Sequence, residues 1–232
     1  MTKTNFPENE LRLLSIHAHP DDEASKGAST VSAYHDEGVY CALVCCTGGE
    51  EGDILNPAMN RPEIIENLTQ VRLEELQKSA EIIGYDEVIM LGYRDSGMPD
   101  SPANVNPEAF ANADTEEAVG KIVSIIRRIR PQVIISYPDE RDWYNHPDHL
   151  QVHDLSIPAF EAAGDAARYP EHGPAWQPLK LYYSTWSRER IEAMHEKFIE
   201  FGLESPYEGW SKRPSRDHLI STRIEISEYW HI

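Results

Sequence analysis

Short apolar runs alternate with amphipathic segments along most of the chain. The runs are almost continuously apolar, which is typical of strands buried on both faces of a parallel sheet. The segments between them repeat apolar residues at helical spacing, so they predict helices. The predicted strands are 11–18, 39–46, 86–91, 132–137 and 180–186, and the predicted helices are 24–37, 62–83, 114–130 and 148–163.

The segment 114–130 carries the clearest helical pattern. Asp114 or Thr115 can cap its N terminus, and Pro131 ends it. Arginines in its last turn complement the negative end of the helix dipole. Its apolar face consists of Val119, Ile122, Val123, Ile126 and Ile129. Because strands and helices alternate, we expect right-handed βαβ units and an α/β fold, with a doubly wound, mainly parallel sheet covered by helices on both faces.

The remaining segments are less regular. A loop rich in Gly, Pro, Asn and Ser occupies 92–113, where it can cover the strand ends and build a binding site. After a second such connection at 164–179, the pattern predicts a helix near 188–201 and a strand at 222–226. The length of 232 residues fits a single domain, 1–232, whose part from 180 onward is less regular.

Composition limits the classes of molecule that this protein is expected to bind. The chain has 21 Lys and Arg against 40 Asp and Glu, a net charge of −19, which argues against nucleic acid or an anionic membrane as partner. No apolar run reaches the length of a membrane span, and the first ten residues lack the apolar centre of a signal peptide. The 3 cysteines fall in one apolar run, where they cannot form a disulfide framework. We therefore expect a cytoplasmic protein that acts on a small molecule.

Two clusters of polar residues follow predicted strands. Residues 19–23, His-Pro-Asp-Asp-Glu, end the first apolar run, and residues 146–149, His-Pro-Asp-His, follow the fourth after a short loop. Ligands of open α/β sheets bind at the carboxyl ends of strands. Together the clusters supply nitrogen and oxygen ligands for zinc. The remaining imidazole and carboxylate groups are available for acid–base catalysis. They predict a metal-dependent hydrolase.

The spacing within the clusters indicates roles. His19 and Asp22 lie three residues apart across a strand-to-helix turn, so both can converge on one ion. Asp21 is then free to act as a base. In the second cluster one histidine can bind the ion, while the other, held by Asp148, protonates a leaving group or polarises a carbonyl. The hydroxyl of Tyr144 can donate to an oxyanion.

Other interpretations remain open at this point. His153 lies four residues after His149 and makes a competing ligand pair, and His17 shares a strand face with His19 but is also suited to core packing. An Asp-Asp-Glu run is often a solvated helix start. A zinc-stabilised sugar-binding module would close its fourth ligand position, whereas here Asp21 and a histidine are left over. A dinucleotide-binding domain is disfavoured because no Gly-x-Gly-x-x-Gly follows the first strand.

The two motifs resemble those of the LmbE-like (PIG-L) family of zinc-dependent N-deacetylases. The resemblance implies a Rossmann-like fold and a zinc ion, with Fe²⁺ as the alternative ion for the same ligands. It implies the metal ligands His19, Asp22 and His149. The resemblance further implies that Asp21 is the general base and that Tyr144 stabilises the oxyanion. It also implies that His146 acts as acid or electrostatic stabiliser and that Asp148 orients His146.

Longer stretches indicate a branch of the family. Residues 19–27, 47–59 and 95–97 resemble the branch that hydrolyses the amide bond of mycothiol S-conjugates, which implies a thiol-sugar substrate and a role in detoxification. Residues 93–98 are closer to the branch that deacetylates N-acetylglucosaminyl-inositol in mycothiol biosynthesis. That activity, or that of another LmbE-like sugar N-deacetylase, is the alternative. The amidase branch continues well beyond the position of Ile232, so the resemblance implies a shortened C-terminal part.

Three further residues are candidates for binding the substrate. Lys26 lies in the first turns of a predicted helix, where the dipole disfavours a cation; it faces the substrate, as the resemblance implies, or pairs with Asp22. Arg72 lies on an apolar helix stripe and needs a partner, either in an ion pair or in a ligand clamp; the resemblance implies contact with the inositol–sugar part. Asp95 follows the third strand and binds substrate hydroxyls or forms an Asx turn.

Overall fold

A parallel sheet carries the candidate site. In this computed structural model the described residues are 6–7 and 9–232, and among them the sheet consists of β1 (Arg12–His17), β2 (Tyr40–Thr47), β3 (Glu87–Tyr93), β4 (Val133–Ser136) and β5 (Lys180–Tyr183). Every neighbouring pair is parallel, and the order across the sheet is β3-β2-β1-β4-β5. The α/β fold with a parallel sheet is confirmed.

The strand order creates a switch point beside β1. The chain passes from β1 to β2 and β3 on one side, and then crosses to β4 and β5 on the other. In the register, Leu14 lies opposite Ala42 of β2 and opposite Ile134 of β4. Connections that leave β1 and β4 therefore diverge and open a crevice at the carboxyl ends of these strands. Both polar clusters follow these two strands.

Helices cover both faces of the sheet, as the alternation predicts. The helices of the larger unit are α1 (Asp22–Ser25), α2 (Ala28–Asp36), α3 (Pro62–Ile65), α4 (Leu68–Ile83), α5 (Thr115–Ile129) and α6 (Pro147–Gly164). One apolar core joins Leu14 to residues of α5 and α6, and a second joins the adjacent Leu13 to residues of α2 and α4. Successive strand residues point to opposite faces, so the nearly continuous apolar runs fill both cores.

Two predicted helices are interrupted. The prediction 24–37 is wrong at its start, because Gly27 has φ 116° and separates α1 from α2. A glycine adopts this conformation without the steric cost that other residues incur, so the chain turns there. The prediction 62–83 is split likewise between α3 and α4, and Pro62 begins α3 as expected.

The prediction for α5 is confirmed almost to the residue. Asp114 caps the helix, and its Oδ1 accepts a hydrogen bond from the backbone N–H of Glu117 at 2.9 Å. The predicted apolar face is buried in full. Arg127 differs from the expectation that it complements the dipole of its own helix. It is buried at 4% exposure, and its guanidinium donates to backbone carbonyls of Ala162, Ala163, Asp165, Arg168, Tyr169 and Gly173.

Arg127→Lys is expected to lower the free energy of unfolding by about 2–4 kcal/mol. A lysine ammonium is a single donor group and cannot span the carbonyls that the two sides of the guanidinium reach. Buried carbonyls at the end of α6 therefore lose their hydrogen-bond donor. Urea denaturation monitored by circular dichroism measures the effect. The exposed Arg141, which pairs with Asp139 and Asp154, offers the matched control, since Arg141→Lys should cost less than about 0.5 kcal/mol. Equal costs for the two variants would contradict this role of Arg127.

A smaller unit comprises Ser184–Glu225. It contains α7 (Arg188–Glu200), close to the predicted helix, and α8 (Glu208–Ser211), with ring contacts among Trp186, Tyr207 and Trp210. The predicted strand at 222–226 is wrong. Residues 222–225 are exposed, Ile226 is half-buried, and the segment joins no strand ladder, so it is not a strand. Among the described residues, no helix has both the length and the apolar character needed to cross a bilayer.

Candidate metal and catalytic site

The two polar clusters meet at the crevice between β1 and β4. His19, Asp22 and His149 each offer one ligand atom, and these atoms lie within 4.8 Å of one another. Asp22 lies between the imidazoles: its Oδ2 is 3.4 Å from Nδ1 of His19, and its Oδ1 is 3.5 Å from Nε2 of His149. All three residues are buried. The structure thus brings together the three residues that the motif resemblance implies as metal ligands.

Local backbone geometry presents these side chains. The turn after β1 is closed by the backbone N–H of His19, which donates to Oδ2 of Asp22 at 3.0 Å. On the other side, Pro147 occupies the first position of α6 and His146 caps the helix, its Nδ1 accepting from the backbone N–H of Asp148 at 3.2 Å. His149 therefore lies in the first turn of α6, one side of which faces the turn after β1.

The residues fit a divalent cation such as zinc. Two imidazole nitrogens and a carboxylate form a common zinc donor set. The nitrogens of His19 and His149 lie 3.4 Å and 3.5 Å from separate oxygens of Asp22, close to the ~3.3 Å between two ligand atoms that are ~2.0–2.1 Å from a tetrahedral ion. Burial raises the pKa of Asp22, but His149 and His19 outweigh it and bring the pKa well below its usual range. Asp22 thus stays ionised. Nδ1 of His149 lies 3.2 Å from Oε2 of Glu140, which directs its Nε2 toward Asp22.

A second potential ligand group shares His19 with the first. It combines His19 with Asp95 and His146, and all three are buried. Nε2 of His19, however, lies 3.1 Å from Oδ2 of Asp148 and 3.6 Å from Oδ1 of Asp95. A carboxylate that bonds one ring nitrogen of a metal-binding histidine orients the other toward the ion. Since Nδ1 of His19 faces Asp22, the geometry favours the first group.

Asp148 is held by a residue that sequence reasoning missed. Its Oδ2 accepts the backbone N–H of Ser96 at 2.9 Å, and its Oδ1 accepts the Ser96 hydroxyl. Both residues are fully buried. The carboxylate of Asp148 thus serves His19, whereas its connection to His146 runs through its own backbone N–H. The only signal for Ser96 in the sequence is its position next to Asp95 in a loop after a strand.

Asp21 lies directly beside the metal group. Its backbone has φ 117° and ψ −24°, uncommon for a residue with a side chain, and its N–H donates to Oε2 of Glu23 at 2.8 Å. The side chain of Asp21 is 73% exposed, yet partial desolvation by the neighbouring turn and the charge of Asp22 raise its pKa to about 6, against the opposing effects of Arg72 and His19. A carboxylate with such a pKa can exchange a proton near neutral pH.

Two hydrogen-bond donors border the same space. Since Nδ1 of His146 accepts a backbone N–H, its neutral ring carries the proton on Nε2. Burial, together with the charges of His19 and His149, lowers the pKa of His146 to about 4. This geometry suits the stabiliser among its two predicted roles. The ring of Tyr144 lies 5.1 Å from that of His149, and burial raises the pKa of Tyr144, so the hydroxyl keeps its proton.

The three candidate substrate residues lie in different settings. Lys26 follows α1, and its Nζ lies 5.0 Å from the ring centroid of Tyr137, whose ring is 4.6 Å from that of His149. Asp95 is 3% exposed, and its Oδ1 accepts the backbone N–H of Gly97 at 2.8 Å, the Asx turn that was its alternative. The third candidate, the arginine of α4, forms an ion pair with Asp21.

The competing histidines lie outside both ligand groups. Nδ1 of His153 donates to the carbonyl of Tyr137 at 2.9 Å. Nδ1 of His17 lies 3.2 Å from the Tyr137 hydroxyl, and burial lowers the pKa of His17 to about 4, so it packs as a neutral ring. Tyr137 and Glu140 were missed by sequence reasoning, because nothing in their spacing marks them among the polar residues that follow β4.

Comparisons with known proteins show what this chain is similar to. The PIG-L family model, GlcNAc-PI de-N-acetylase, matches residues 14–160. A mycothiol S-conjugate amidase of Streptomyces coelicolor is 44% identical over 234 residues, covering 97% of this chain and 79% of the relative. A 1D-myo-inositol 2-acetamido-2-deoxy-alpha-D-glucopyranoside deacetylase of Geodermatophilus obscurus is 41% identical over 202 residues, covering 84% of this chain and 68% of the relative.

The fold is shared with solved structures. An N,N'-diacetylchitobiose deacetylase from Pyrococcus horikoshii matches with a TM-score of 0.60 at 21% identity, over 89% of this chain and 72% of that chain. The conserved protein TT1542 from Thermus thermophilus matches with a TM-score of 0.55 at 22% identity, over 84% and 80% of the two chains. With a family match over more than half of its length and relatives above 40% identity, this chain belongs to the PIG-L family.

Proposed function

We propose that this protein is a zinc-dependent amidase that hydrolyses the amide bond of mycothiol S-conjugates. The buried group of His19, Asp22 and His149, with Asp21 directly beside it, carries the proposal. The 44% identity to a mycothiol S-conjugate amidase supports the substrate. Cleavage adds water across the amide and releases a carboxylic acid and the amine of glucosaminyl inositol, so the conjugated thiol can be disposed of.

The chain supplies a base and two donors around the reacting carbonyl. A zinc ion held by His19, Asp22 and His149 would supply Lewis acidity, which would polarise the carbonyl and lower the pKa of water in the site. The carboxylate of Asp21 accepts a proton from the attacking water. The Tyr144 hydroxyl and Nε2–H of His146 donate to the oxygen that gains negative charge. Asp21 then returns its proton to the amine nitrogen as the C–N bond breaks, which restores the starting carboxylate.

Deacetylation of N-acetylglucosaminyl-inositol is the second candidate, favoured by the relatives at about 41% identity with that activity. A side-by-side assay separates the two. Purified protein loaded with zinc is given a mycothiol S-conjugate or the acetylated sugar, and the released amine is quantified. We expect kcat/KM to be at least about tenfold higher for the conjugate, or about 1.4 kcal/mol. A higher value for the acetylated sugar would assign the protein to the second activity.

Lys26→Gln is expected to lower kcat/KM for the conjugate by about 10–100-fold, chiefly through KM. We propose that its ammonium binds the acyl part of the conjugate, and a hydrogen bond from a charged donor contributes about 1.5–3 kcal/mol. The acetylated sugar lacks that part, so its kcat/KM should change much less. Lys78→Gln, on the exposed side of α4, is the matched control. Equal losses on both substrates would contradict this role for Lys26.

A further inference from the structure

Glu140 contacts a metal ligand with its side chain and a backbone turn with its carbonyl. Its Oε2 lies 3.2 Å from Nδ1 of His149. Its carbonyl oxygen accepts hydrogen bonds from the backbone N–H of Trp143 at 2.8 Å and from that of Tyr144 at 2.9 Å. The residue lies in the connection between β4 and α6, and its side chain is only 14% exposed. One residue therefore contacts both a candidate metal ligand and the turn that carries the candidate oxyanion donor.

The side-chain contact determines which nitrogen of His149 is available to a metal. A carboxylate accepts hydrogen bonds and donates none, so Nδ1 of His149 is the donor and Nε2 is left as the ligand atom. Nε2 faces Asp22, whose Oδ1 lies 3.5 Å away. A carboxylate that accepts from the far nitrogen of a metal-binding imidazole also raises the basicity of the ligand nitrogen. Glu140 is thus expected to strengthen metal binding through His149.

The carbonyl contact determines where Tyr144 lies. The bond from the N–H of Tyr144 to the carbonyl of Glu140 closes a turn of the chain just before α6. The ring of Tyr144 packs edge-on against His149, with 5.1 Å between the ring centroids. A movement of Glu140 away from His149 would therefore move the turn and separate the two rings.

The same connection has a second attachment to α6, which is exposed. Arg141 pairs with Asp154 of α6 and with Asp139, and all three side chains are about half exposed. Exposed ion pairs contribute little to stability. The buried contact between Glu140 and His149 is therefore the stronger candidate for holding the connection in place.

We propose that Glu140 is a positioning residue that couples metal binding at His149 to the placement of Tyr144. Its carboxylate holds the imidazole and its carbonyl holds the turn, so an ion that fixes His149 also fixes the segment from which Tyr144 projects. The inference rests on the proposed function for the role of Tyr144 as oxyanion donor. It assigns to Glu140 a role in both metal affinity and turnover.

The zinc affinity of Glu140→Gln tests the contact with His149 without a substrate. Glutamine has nearly the same shape but lacks the charge, so we expect the Kd for zinc to rise about 10–100-fold, measured by competition with a chromophoric chelator. Asp139→Asn removes the same charge from an exposed side chain one residue away, and its Kd should stay within about twofold of the wild-type value. A wild-type Kd for Glu140→Gln, or an equal rise in both variants, would overturn the inference. A lower Tm of metal-free Glu140→Gln with an unchanged Kd would show a purely structural role and would overturn it as well.

A double-mutant cycle between Glu140→Ala and Tyr144→Phe tests the coupling, at zinc concentrations that saturate every variant. Glu140→Ala should lower kcat about tenfold when Tyr144 is present. In the Tyr144→Phe background the same change should lower kcat by about twofold or less, because the hydroxyl through which Glu140 acts is already gone. Equal losses in the two backgrounds would show that Glu140 does not act through Tyr144 and would overturn the coupling.

Crystal structures of zinc-loaded wild type and Glu140→Ala give a second readout that needs no turnover. The inference predicts that the ring of Tyr144 leaves His149 in the variant, while His19 and Asp22 keep their positions. An unmoved Tyr144 ring would overturn it. If the wild type hydrolyses neither the conjugate nor the acetylated sugar, the proposed function fails, and the zinc affinities and crystal structures still decide whether Glu140 links His149 to Tyr144.

Discussion

Replacing Asp21 with asparagine is expected to lower kcat for amide hydrolysis by about 10²–10⁴-fold, with one zinc ion per chain retained. The amide has nearly the same shape and can still accept from Arg72, but it cannot take a proton from water or return one to the leaving amine. Asp21 lies outside the favoured ligand group, so the metal should stay. Single-turnover rates, together with zinc content measured by mass spectrometry, separate loss of the base from loss of the ion.

The control for this variant is a carboxylate of the same type away from the site. Asp154 lies on α6, is exposed and pairs with Arg141, so Asp154→Asn should keep the kcat of the wild type. An Asp21→Asn enzyme that retained zinc and turned over at the wild-type rate would remove the base from the mechanism. Loss of zinc in Asp21→Asn would instead place Asp21 among the ligands.

Asp22→Asn is expected to abolish stable zinc binding and to lower activity more than about 10³-fold. The buried carboxylate lies between two imidazoles, and a neutral amide is a poor ligand that leaves them facing each other without an anion. Zinc stabilises the folded state by about 4 kcal/mol at a free concentration 1,000 times its Kd. Zinc should therefore raise the Tm of the chelated wild type, and it should leave the Tm of Asp22→Asn unchanged.

His153→Asn is the informative control for the ligand assignment. His153 is the competing partner of His149 by spacing, but it donates to the carbonyl of Tyr137 and lies outside both ligand groups. We expect this variant to keep its zinc and its response of Tm to zinc. Retention of zinc by Asp22→Asn together with its loss from His153→Asn would reverse the assignment.

Local patterns predicted much of the framework. The apolar runs of β1, β2 and β4 lie where expected, and α5 begins at its Asp114 cap and ends just before Pro131. These features depend on the residues within one element and on burial of one or both of its faces. Predictions failed where a single residue, or a partner distant in the sequence, determines the local backbone structure. Gly27 breaks a helix through its φ of 116°, and the apolar residues of 222–226 find no strand to pair with.

The sequence by itself determined the chemistry available to this protein: imidazoles and carboxylates at the ends of β1 and β4, spaced so that short turns can direct them at one point. Only the tertiary structure decided which partner each takes. Arg72 meets Asp21 across 51 residues, and Asp148 meets His19 across 129, contacts that no local pattern records. The reason is physical: spacing along the chain sets the geometry within a turn, whereas a buried charged group takes whichever partner the packing of distant elements brings within hydrogen-bond distance.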